Sequence, residues 1–130
     1  MNNKKKLTKL LDEIAEKQKS VSLCRKEYLE EERDFEQKKA LAQEISERKL
    51  IEKTIQELNN QYIKQSDLLF EDLNSTLIKG LDLSKEIGEE IAYDYKKLWD
   101  YMTQSMRFEV KSERVLKDIE YIKKDLSNNA

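Results

Sequence analysis

Apolar residues recur along this chain at heptad spacing. Leu7, Ile14, Val21, Tyr28, Phe35 and Ala42 stand seven apart, while the complementary row mixes Leu10, Cys24 and Ile45 with the charged Lys17, Glu31 and Lys38. Such a seam marks a helix that packs along another helix, here with one row filled and the other half filled. Between Ile45 and Ile51 the register slips by one residue. The seam then resumes through Ile51, Ile55, Leu58, Tyr62, Leu69 and Leu73, interrupted by Gln65. A second periodic segment carries Ile91, Leu98, Tyr101, Phe108, Val115, Ile119, Ile122 and Leu126 at spacings of three, four and seven, with Ser105 and Ser112 on the same stripe. Tyr95, Trp99, Met102, Met106 and Leu116 widen that stripe beyond what one partner helix covers.

Punctuation is nearly absent. The 130 residues include no proline and only two glycines, Gly80 and Gly88. With so few breakers, the pattern predicts an all-α chain: one domain, a long antiparallel helical hairpin or coiled coil. A first helix over about 5–79 would run roughly 110 Å at 1.5 Å per residue. Gly80 then supplies the left-handed residue past its end, and Asp82 or Ser84 caps the next helix, with Glu86, Glu89 and Glu90 in its opening turns. That places the turn at about 80–84 and the second helix at about 84–127. Asn59-Asn60 and Asn74-Ser75-Thr76 are the weaker alternatives for the turn. A hairpin closing at Gly80 pairs about 36–79 with 84–128 and leaves residues 4–35 projecting as an N-terminal helix with a seam and no internal mate. Leu7, Ile14, Val21 and Tyr28, together with Tyr95, Trp99, Met102, Met106 and Phe108, are therefore the expected partner interface.

Composition narrows the chemistry. Charged residues make up 40% of the chain, 25 basic against 27 acidic, for a net charge of −2 with both signs interspersed. That argues against nucleic acid as a partner, since no basic face is built and Asp94, Asp100 and Glu109 sit among the aromatics. Lys4-Lys5-Lys6 reads as a solvated helix start. There is no histidine, which removes the usual general base and the commonest metal ligand. The carboxylate groups Glu27 to Glu36 and Glu86 to Asp94 lack the spacing of a di-iron or calcium site. No catalytic residue, metal or cofactor is expected, and the chain is read as a binder, not an enzyme. Cys24, the lone cysteine, lies on the apolar stripe and reads as a small buried hydrophobe, with an intermolecular disulfide as the minority alternative. No apolar run is long enough for a membrane span, and Lys9, Asp12 and Glu13 interrupt any export signal, so the expected location is the cytoplasm.

The hairpin, the size and the aromatic run Tyr93-Asp94-Tyr95-Lys96-Lys97-Leu98-Trp99-Asp100-Tyr101, leading to Arg107-Phe108-Glu109, together resemble the WXG-type helical hairpins of bacterial type VII secretion. The resemblance is closest to the accessory targeting chaperones of LXG-domain toxins. It departs from the family pattern in having no Trp-x-Gly, since Trp99 is followed by Asp100-Tyr101. The family's Tyr-x-x-x-Asp/Glu export motif is matched by Tyr121 to Asp125 and by Tyr28 to Glu32. The resemblance implies a non-catalytic adaptor that binds the helical N-terminal region of an LXG toxin, alone or with a sibling small helical protein. It implies delivery for export, with co-secretion as a variant. The alternative reading is a self-associating coiled-coil scaffold or phage assembly protein. In either case a homo-oligomer is expected when the chain is alone.

Overall fold

The computed structural model describes residues 2–105 and 110–128, and 93% of these are helical. No strand occurs among them. Four helices follow one another: α1 (Asn3–Leu41), α2 (Ile45–Ile87), α3 (Glu89–Gln104) and α4 (Ser112–Asn128). The all-α antiparallel hairpin expected from the pattern is present. Its connector, however, is Ala42–Glu44, not Gly80–Ser84.

That connector coincides with the register slip before Ile51. The heptad row from Leu7 ends on Ala42, which is buried, with extended backbone and its N–H donating to the Lys39 carbonyl. Arg48 Nε donates to the Ala42 carbonyl at 2.8 Å and ties the start of α2 back to the turn. What the pattern presents as one helix over 5–79 is thus two antiparallel helices, and the slip is the chain reversing. At the other end, Asn2 caps α1 by accepting from the Lys5 N–H at 2.8 Å.

Pairing along α1 and α2 fixes their register. Asn3 meets Glu86, Lys17 meets Asp72 at 3.0 Å, Tyr28 meets Asn59 at 3.0 Å and Lys39 meets Glu52 at 3.2 Å. The chain reverses again at Gly88, whose φ of 160° and ψ of 166° are extended backbone open to any residue. A Cβ at Gly88 would meet nothing within 4 Å. A third reversal returns α4 antiparallel to α1, with Ser22 against Ser112 at 2.7 Å and Lys123 against Asp12.

The molecule therefore has two parts. The body is a four-helix bundle built from about residues 3–22 of α1, 66–87 of α2, and all of α3 and α4. Its core includes Leu7, Leu11, Ile14, Leu77, Tyr95, Leu98, Val115, Ile119 and Ile122. The shaft is the remainder of the α1–α2 hairpin, extending about 20 residues, roughly 30 Å, beyond the body. The N-terminal helix accordingly does not project: its stripe is covered by α2 and α4, and the projecting element is the hairpin tip.

Gly80 is helical, in the interior of α2, and it matters for a reason other than turning. A Cβ there would lie 1.9 Å from the Tyr95 hydroxyl oxygen and 2.1 Å from Cζ. The absent side chain lets α3 drive a fully buried tyrosine against the backbone of α2, where its hydroxyl donates to the Leu77 carbonyl at 2.6 Å.

Candidate interaction surfaces

The expected partner interface divides in three when placed on the fold. Leu7, Ile14, Val21, Tyr95 and Met102 are buried in the body and serve the chain's own core. The reason is the early connector, which gives the N-terminal stripe two intramolecular neighbours. Tyr28 and Trp99 are half-buried, Tyr28 in the shaft and Trp99 against the body core. Met106 and Phe108 lie outside the described residues.

Tyr28 anchors the lower shaft. Its ring stacks on Tyr62, centroids 4.2 Å apart and planes 9° from parallel. Its hydroxyl donates to Glu32 and lies 3.0 Å from the Asn59 side-chain amide. Partial burial and the Glu32 hydrogen bond push the phenol up to about 12, so it stays protonated at any physiological pH. One of the two Tyr-x-x-x-Glu/Asp matches is thus spent on a shaft contact. In the other, Tyr121 stands exposed while Asp125 turns inward toward Asp94.

Asp94 and Asp125 face each other between α3 and α4. Asp94 is buried, and each carboxylate has one oxygen shielded from solvent without a hydrogen-bond partner. Burial first, then the hydrogen bond to Asp125 and that residue's charge, push Asp94 up to about 6. Lys97 opposes the shift and Glu90 adds to it. A proton on Asp94 relieves the repulsion between the two carboxyls, and above pH of about 6 that relief is lost. Among the described residues no group of three or more acidic, cysteine or histidine side chains is placed to hold a metal. Cys24 is half-buried, and burial together with Glu27 raises its thiol.

At the junction of body and shaft, the groove between α1 and α2 opens into a cleft of about 350 Å³. Gln18, Ser22 and Arg25 line it from α1, while Phe70, Ser66 and Ile63 line it from α2, each set at spacings of three and four along one helix face. Val21, Tyr62 and Val110 add apolar surface. Gln18 and Ser66 are buried polar groups at its floor, and Gln18 Nε2 donates to Ser22 at 3.4 Å. Sequence reasoning missed this site because it is built from two helices that the pattern placed in one. The arrangement defines a class: an all-α antiparallel bundle carrying a projecting helical hairpin. Comparison with protein-family models, with curated proteins and with solved structures returns no match for the chain. Among the described residues no helix is long and apolar enough to cross a membrane.

Proposed function

We propose that this chain is a non-catalytic helical adaptor whose junction cleft receives an apolar anchor residue from a client helix. The cleft carries the reading. Two of the four bundle helices stop there, leaving an apolar surface of Val21, Ile63, Phe70 and Val110 beside the buried amide of Gln18 and hydroxyl of Ser66. A mostly apolar concavity with a few polar groups to set orientation is the usual form of a recognition pocket. A client helix laid over the cleft would extend the layer that α3 and α4 begin. The resemblance to LXG-toxin chaperones names the client to test, the helical N-terminal region of such a toxin, with Tyr121 and Asp125 as the export motif.

Co-expression with the helical N-terminal region of an LXG toxin should give a complex that co-elutes on size exclusion. Ser66→Trp, which fills the cleft from within, should abolish the complex while leaving the helical circular dichroism spectrum intact. A wild-type chain that forms no complex, or a complex indifferent to Ser66→Trp, would count against the adaptor.

A further inference from the structure

Charge along the shaft is banded. Tyr28 beside Asn59 and Lys39 beside Glu52 show which residues of α1 and α2 stand at one level. Nearest the body, Arg25, Lys26 and Lys64 outweigh Glu27. The next level carries Glu30, Glu31, Glu32, Asp34 and Glu36 on α1 and Glu57 on α2, against Arg33. Above it stand Lys38, Lys39, Arg48, Lys49 and Lys53 against Glu52, and the tip ends on Glu44 and Glu47. From the body outward the signs run positive, negative, positive, negative.

The two strong middle bands are not neutralised within the chain. Among the described residues, Glu30, Glu31, Asp34, Glu36 and Glu57 enter no ion pair, nor do Lys49 and Lys53. Like charges one helical turn apart repel, so each band favours an opposite band from outside.

Reversed, this order is its own complement. A second shaft laid antiparallel, with the two-fold axis near Glu36, sets the strong acidic band on the partner's strong basic band, twice over, and brings the acidic tip toward the basic base. A parallel copy sets acid on acid. The apolar pattern agrees: Leu41 and Ile45 are exposed at the tip, Leu29 and Ile63 at the shaft base, and the same overlap brings tip onto base. The upper end of the body lies at the level of Ser22 and Ser112, so the incoming tip stops short of it. We propose that two copies of this chain associate antiparallel through their shafts, forming a four-helix segment between two bodies. The proposal does not rest on the adaptor reading: the overlap shares Arg25 and Ile63 with the rim of the cleft, but Ser66 stands at about the level of Ser22, below it.

Sedimentation equilibrium of the full chain tests it. A dimer is expected at low ionic strength, weakened by about tenfold or more in high salt as the bands are screened. Glu30→Lys, Glu31→Lys and Asp34→Lys together should give a monomer, as should Lys38→Glu, Lys49→Glu and Lys53→Glu together. All six positions are exposed, so folding is retained. An equimolar mixture of the two variants should restore the dimer, because both band contacts are then opposite in sign again. Spin labels on the native Cys24 should lie about 40 Å apart in the antiparallel dimer and under about 20 Å in a parallel one, from the helical rise and one helix-packing distance. A monomeric wild type at low salt, a dimer that survives both reversals, or the short label distance overturns the proposal. Dimerisation unaffected by Ser66→Trp separates this result from the fate of the adaptor reading.

Discussion

The body and the shaft are made from the same two helices and differ in what surrounds them. In the body, Leu7, Leu11 and Ile14 of α1 and Leu73 and Leu77 of α2 are almost wholly shielded, because α3 and α4 close the bundle. In the shaft, among the described residues, only Ala42 is buried. Ile51, Ile55, Leu58 and Tyr62 of α2 face Tyr28, Glu32, Phe35 and Lys39 of α1, and all of them remain half-exposed. Two helices can cover only one stripe of each other, whereas four enclose a core. Helix formation is therefore alike along α1, while the stabilisation it receives falls sharply where its neighbours stop.

The largest test of this contrast compares truncations. Leu11→Ala, in the enclosed part, should cost about 3 kcal/mol by cavity formation. Leu58→Ala, in the half-open seam, should cost about 1 kcal/mol. Urea titration followed by circular dichroism measures both, and equal losses would erase the distinction.

Next in size is the α2–α3 contact. Gly80→Ala forces a methyl into the ring of a fully buried tyrosine, at a cost of about 2 kcal/mol. Gly88→Ala, with open space and extended backbone, should leave the melting temperature near wild type. A mild Gly80→Ala would mean that α3 sits farther from α2 than the Tyr95–Leu77 hydrogen bond requires.

The smallest expected effect depends on pH. Asp94 is raised in the folded chain to about 6, above the ordinary aspartate value. Its stabilising contribution is thus fully present below pH of about 4 and is lost as pH rises through about 6. Asp94→Asn offers Asp125 an amide donor in place of a second charge. It should raise stability by roughly 1–2 kcal/mol at pH 7.5 and by little at pH 4. Thermal melts at the two pH values decide this, and a gain equal at both would place the strain elsewhere.

Much of this architecture is legible in the residues. The scarcity of breakers and the heptad rows announce the helices, and the widened aromatic stripe of Tyr95, Trp99 and Met102 announces that α3 has more than one neighbour. The first reversal is legible only in hindsight. Ala42-Gln43-Glu44 contains no glycine or proline, and its sole signal is the one-residue slip before Ile51, which a continuous coiled coil could also show as a stutter. Gly80, the most conspicuous punctuation mark, is occupied with packing against Tyr95.

Local sequence by itself determined that this chain is helical, where its apolar stripes lie and how charge alternates along them, because propensity and periodicity act within a few turns. Only the tertiary structure decided which stripes meet. Leu7, Ile14 and Val21 look unpartnered until the connector at Ala42–Glu44 brings α2 and α4 to them, and the junction cleft exists only because α3 and α4 are shorter than the hairpin they pack on. An apolar face specifies that it must be covered but not by what, and a short polar connector can reverse the chain wherever packing on both sides repays the lost helical turn.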